Sequence, residues 1–196
     1  LKEIILPDTL TSIGDYAFYG CTGVVEISLP STLTNIGSYA FKGCTSLESI
    51  SLPSGITTIN SYTFSDCTGL TEIYLPDTLT SIGDKAFSGC TGLIEITLPD
   101  GITHIYDYAF SSCINIEKIK LPDSVQYFGE RVFSNCTKLS EINIPISWNS
   151  TSSSGGIFAG CESLTSITIP EGLTKLPDDA FYGCTYLKEI ILPDTL

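Results

Sequence analysis

Apolar and polar positions alternate in short runs along the chain, and the runs return at a fixed interval. In Leu70-Thr71-Glu72-Ile73-Tyr74-Leu75, the apolar Ile73 and Leu75 alternate with Glu72 and Tyr74. A period of two turns one face inward and leaves the other to solvent, so each run predicts a short strand closed by the proline that follows. A second apolar pair, Leu79 and Ile82, lies three residues apart and is followed by Gly83, which predicts a short strand or tight turn. The stretch Ala86-Phe87-Ser88-Gly89-Cys90 is too short for a long helix. It predicts a single helical or 3₁₀ turn that inserts Phe87 as a wedge.

The interval is set by Cys21, Cys44, Cys67, Cys90, Cys113, Cys136, Cys161 and Cys184, and phenylalanines keep the same beat three residues earlier, from Phe18 to Phe181. A fixed period of this length is the signature of a repeat solenoid. Each coil then packs only on its neighbours, so residues 1–196 read as one solenoid of about eight repeats. Burying about seven apolar side chains per coil at roughly 1.5–3 kcal/mol each does not meet a backbone ordering cost of about 1–2 kcal/mol per residue. One coil alone is therefore not expected to fold. Successive strands run in the same direction, which predicts a parallel sheet along one face, with short strands, turns and 3₁₀ or single-turn helices on the other.

The full unit, L-x-x-I-x-L-P-x-x-L-x-x-I-G-x-x-A-F-x-G-C, strongly resembles the BspA-like leucine-rich repeats over essentially the whole chain. The resemblance implies a curved or twisted parallel-sheet solenoid from a cell-surface or secreted protein of bacteria or some protists, often associated with adhesion to host proteins or other cells. It brings no shared catalytic residues.

Charge and composition narrow the partners. A formal net charge of -13 repels nucleic acid and anionic membrane alike. No stretch approaches the roughly 18 apolar residues of a membrane helix, and nothing at the start resembles a signal peptide. The chain lacks Met, and residues 1–10, LKEIILPDTL, recur at 187–196. The expectation is an excised or processed fragment of a longer array, with head-to-tail self-association of copies as the alternative.

Eight cysteines in an extracellular chain would ordinarily suggest disulfides, yet equal spacing stacks them at about the 4.7–4.9 Å separation of neighbouring strands. Disulfides need Cβ atoms about 3.5–4.5 Å apart, so the expectation is eight buried free thiols acting as small hydrophobes. A ladder of ligands diverges along an axis, which argues against metal. His104, the only histidine, reads as a surface residue in a turn beside Ile105. With no phosphate loop, no H-E-x-x-H and no nucleophile beside a second histidine, neither an enzyme nor a cofactor is expected.

Function is sought where the frame varies. Outward positions on the main sheet form two rows, one running Glu72, Glu95, Lys118, Glu141 and the other Tyr74, Thr97, Lys120, Asn143. Lys118 and Lys120 stand out against an acidic sheet. Charge compensation between Lys118 and its neighbours Glu95 and Glu141 is the plain reading. The functional one is that Glu72, Tyr74, Glu95, Thr97, Lys118 and Lys120 contact a protein ligand, such as a host extracellular-matrix or cell-surface protein. A structural spacer, or a stalk or filament segment without a specific ligand, is the alternative.

Another stripe runs Tyr16, Tyr39, Tyr62 and Tyr108, interrupted by Lys85 and Arg131. It reads as cover for a core edge, with an aromatic binding ribbon as the alternative. The seventh unit is longer by two residues, giving an extended loop at 146–156 that holds Trp148 and an Asn149-Ser150-Thr151 glycosylation pattern. Trp148 takes a position where other units place Leu, which predicts core filling; a local ligand-binding bulge is the alternative.

Overall fold

A computed structural model describes residues 3–145, 155–173 and 175–194. The alternating runs form main-sheet strands β1 (Glu3–Ile5), β3 (Glu26–Ser28), β5 (Ser49–Ser51), β7 (Glu72–Tyr74), β9 (Glu95–Thr97), β11 (Lys118–Lys120), β13 (Glu141–Ile142), β14 (Ser166–Thr168) and β15 (Glu189–Ile191). Between them lie the two-residue strands β2 (Ser12–Ile13), β4 (Asn35–Ile36), β6 (Thr58–Ile59), β8 (Ser81–Ile82), β10 (His104–Ile105) and β12 (Tyr127–Phe128). These build a second ladder. Both ladders are parallel, and each residue pairs with its own equivalent one unit on, as in Ile50 with Ile73 and Ile105 with Phe128. The chain is thus a parallel-strand repeat solenoid, as its period predicts.

The main ladder runs in three segments, β1-β3-β5-β7, β9-β11-β13 and β14-β15. At Glu48, Thr71 and Glu117 a backbone amide donates to the preceding coil, to Val25, Glu48 and Ile94 respectively, at 3.1, 2.9 and 3.0 Å. Ile94, the equivalent residue of the fifth coil, makes no such bond among the described residues.

The expected helical turn around Phe87 is instead a run of tight turns, and no helix occurs among the described residues. The reason is that alternate amides leave the local turn for the next coil. Lys85, Phe87 and Gly89 donate to Asp107, Ala109 and Ser111 at 2.8 Å each, while Ala86, Ser88 and Cys90 bond back three residues. Such alternation needs a left-handed residue at two corners of every coil. Gly89 (φ 75°) supplies one at no steric cost, and Lys85 (φ 51°) occupies the other. That second corner is filled elsewhere by Tyr16, Tyr39, Tyr62 and Tyr108 at φ of 56–60°, by Arg131 and Asp179 at 51° and 53°, and by Gly156 in the longer unit. Gly83 has a different reason to be glycine: a Cβ there would meet the Ser61 amide of the previous coil at 2.8 Å.

Inside, like stacks on like. The phenylalanine wedges form a column, Phe41, Phe64, Phe87 and Phe110 lying 5.3–5.6 Å apart with planes within 9° of parallel. All eight cysteines are free; six are buried and the end pair, Cys21 and Cys184, half-buried. Their thiols do more than fill space, since from Cys44 onward each donates to the phenylalanine carbonyl of the preceding coil, as in Cys90 Sγ to Phe64 O at 3.0 Å and Cys113 Sγ to Phe87 O at 3.1 Å. The Cys67 amide donates to the same Phe64 oxygen, at 3.2 Å. Burial pushes the six buried thiols up, Cys44 to about 11 and Cys113 to about 12.

The longer seventh unit rejoins the columns without loss of register. Phe158 lies 5.9 Å from Phe133, and Cys161 Sγ reaches Phe133 O at 3.2 Å. Trp148 and Asn149 lie outside the described residues.

Candidate functional site

Strand pleating and parallel register bring all six singled-out residues onto three adjacent main-sheet strands. Glu72 and Tyr74 project from β7, Glu95 and Thr97 from β9, and Lys118 and Lys120 from β11, all six exposed. Lys118 pairs in register with Glu95 on one side and Glu141 on the other. Its ammonium is bound to Glu141 Oε2 at 2.6 Å, and that carboxylate raises the lysine's affinity for its proton. Charge compensation therefore accounts for Lys118. Lys120 stands beside Thr97 and makes no ion pair among the described residues.

Tyr74 hydroxyl donates to Glu72 Oε2 at 2.9 Å across the i,i+2 spacing of one strand face. This bond, made to a carboxylate, raises the phenol above its ordinary value. Tyr74 is 60% exposed, and no other ring stacks against it among the described residues.

Beside it the missing ladder bonds open a cleft of about 610 Å³ between β7 and β9, lined by Glu72, Ile73, Tyr74, Ile94, Glu95 and Thr97, among others. Its floor is unusual. Ile73 is half-buried, whereas Ile50 and Ile96 at the same position are 2% and 6% exposed. Across β9 a smaller hollow of about 380 Å³ is bordered by Glu95, Thr97, Lys118 and Lys120. Sequence reasoning missed the cleft. Its one signal was Ile94, an isoleucine at an outward position where flanking units carry Thr71 and Glu117.

The tyrosine stripe behaves differently. Tyr16, Tyr39 and Tyr62 stack at 4.6 and 4.5 Å, nearly parallel, and Lys85 fills the gap to Tyr108 with its ammonium 5.4 and 5.0 Å from the two ring centroids. Both faces of Tyr39 and Tyr62 are spent on a neighbouring ring or on lysine, and one face each of Tyr16 and Tyr108. The stripe therefore presents ring edges, as a cover for the corner would.

His104 departs from its expected place. It lies on strand β10, half-buried, because its unit continues the second ladder where a turn was expected. Tyr106 and Tyr127 flank it at 5.9 and 5.8 Å, and its Nδ1 is 2.8 Å from Thr103 Oγ1. Among the described residues no cluster of His, Cys, Asp and Glu is arranged to hold a metal ion, and no helix is long and apolar enough to cross a membrane.

Comparison with known proteins places this geometry. Residues 1–113 and 57–187 match the BspA type leucine rich repeat region, in six copies. The solved leucine-rich repeat protein of T. pallidum is 33% identical over 83% of this chain and 77% of its own, with a TM-score of 0.74. One from Bacteroides ovatus is 26% identical over 100% of this chain and 70% of its own, at 0.50. The pneumococcal vaccine antigen PcpA, 22% identical over 86% of this chain and 56% of its own, shares the fold at 0.56. Curated proteins include no match.

Proposed function

The chain belongs to the BspA-type leucine-rich repeat family, and on that premise we propose that it is a non-catalytic recognition module of a secreted or cell-surface protein, adhering to a host extracellular-matrix or cell-surface protein through its main sheet. The observation that carries the reading is the break in pattern over β7, β9 and β11. Here an unstacked tyrosine, an open cleft and Lys120, without an ion pair among the described residues, occupy adjacent strands. Extended sheet faces are what solenoids offer to partners. A burial of about 800 Å² per partner, usual for a stable interface, needs several coils and not one pocket.

The like-on-like columns support a second reading, a spacer that supplies length, and one experiment separates the two. The protein and its Lys118→Glu, Lys120→Glu variant are measured at physiological salt against a panel of extracellular-matrix and cell-surface proteins. Recognition by the sheet predicts a partner whose affinity falls about tenfold or more in the variant, the loss of roughly 1.4 kcal/mol. If no panel protein binds, the spacer reading replaces it.

A further inference from the structure

The cleft between β7 and β9 combines three features that meet nowhere else among the described residues. Its floor offers apolar surface from half-buried Ile73 and from Ile94, which is 55% exposed. Its wall holds the unstacked Tyr74 ring, steadied by the hydroxyl bond to Glu72. Its lining includes the carboxylates of Glu72, Asp77 and Glu95 and no basic residue. Lys118, in register with Glu95 on the next strand, is held by Glu141 instead.

We propose that this cleft seats an arginine side chain presented by a protein partner. The inference rests on the recognition reading above and names the group recognised. An apolar stem three methylenes long matches the Ile73 and Ile94 surface, and a planar guanidinium can lie over the Tyr74 face while its N–H groups donate to Glu72 and Glu95. Lysine brings the charge without the plane and holds its hydration shell more tightly. A neutral group, such as a sugar, would leave the carboxylates uncompensated. The chain's net charge of -13 draws a cationic segment toward the sheet. Stacked Tyr39 and Tyr62 cannot serve the same role, because their faces are occupied.

The test is an amide chemical-shift titration of the isotope-labelled protein with a short peptide, blocked at both ends, carrying one arginine. Two counterparts carry citrulline, the neutral isostere, or lysine. The expected result is perturbation centred on Ile73, Tyr74, Ile94 and Glu95, with the citrulline and lysine peptides at least about tenfold and threefold weaker respectively. Glu72→Gln with Glu95→Gln weakens arginine binding about tenfold, Tyr74→Ala does likewise, and Tyr74→Phe keeps most of it. All these positions are exposed, so the variants fold, which circular dichroism checks. Equal binding of the citrulline peptide, or perturbation elsewhere on the surface, overturns the proposal. If the arginine peptide leaves the cleft untouched while a panel protein still loses affinity in the Lys118→Glu, Lys120→Glu variant, only the arginine inference falls. If neither binds, the recognition reading falls with it.

Discussion

Tyr16 and Tyr74 are almost equally exposed, at 55% and 60%, yet they sit in opposite physical situations. Tyr16 ends a column in which Tyr39 covers one of its faces at 4.6 Å, and its backbone is held left-handed at φ 59°. Tyr74 lies on a regular strand with no ring stacked on it among the described residues, its hydroxyl tied to Glu72. A left-handed corner costs a bulky L-residue about 1–2 kcal/mol, and a stacked aromatic pair returns about 0.5–1.5 kcal/mol beyond its burial. The column is thus an answer to a backbone problem created by coil-to-coil bonding. Tyr74 answers no such problem. Exposure alone does not separate a structural ring from one available to a partner; occupancy of the ring faces does.

The contrast between column and solitary ring is broken most severely inside the core. Phe87→Ala removes a fully buried ring stacked on both sides and should cost about 3–5 kcal/mol, read as a shift in the denaturant midpoint. Next comes alkali. Burial raises the thiols from Cys44 to Cys184 above their ordinary value of 9.0, so the fold retains protons that the unfolded chain releases. Stability is then fully present below about pH 9 and should decline as pH climbs from there toward the folded-state values, about 11 at Cys44 and about 12 at Cys113. Thermal melts from pH 8 upward check this, and a midpoint unchanged across the range would sink the account. The smallest effect sharpens the comparison most. Tyr39→Ala should cost about 1–3 kcal/mol through two lost stacks, with Tyr39→Gly recovering part of it because φ 60° suits glycine. Tyr74→Ala should stay within about 0.5 kcal/mol of the parent.

The architecture was legible because it is written in identities at fixed spacing. Phe87, Cys90, Ile73 and Leu79 each recur where their column requires them, and the pleat follows from alternation. What the sequence concealed were departures that no single unit announces. Lys85 and Tyr62 look like surface residues of no conformational note, since nothing in their side chains says that their amides must reach the next coil. Gly83 and Gly89 read alike, though one is glycine for space and the other for φ. His104 read as a turn residue because a two-residue strand is too short to show a period. The candidate residues on β7, β9 and β11 were legible from pleat and register, while the cleft depends on a hydrogen bond that Ile94 does not make.

A column in which phenylalanine meets phenylalanine and each thiol meets the carbonyl one coil back has a consequence at the level of the gene. Every coil presents to its successor the surface it receives from its predecessor. An added or deleted whole unit therefore finds the same packing on both sides, and unequal recombination between repeats can change the number of coils without any compensating substitution. The seventh unit marks the tolerance of that scheme: two extra residues leave Cys161 bonded to Phe133 and the ring column intact. Length is thus open to evolutionary drift while the columns stay fixed. A recognition patch can be carried to a new distance along the array by copying plain coils around it.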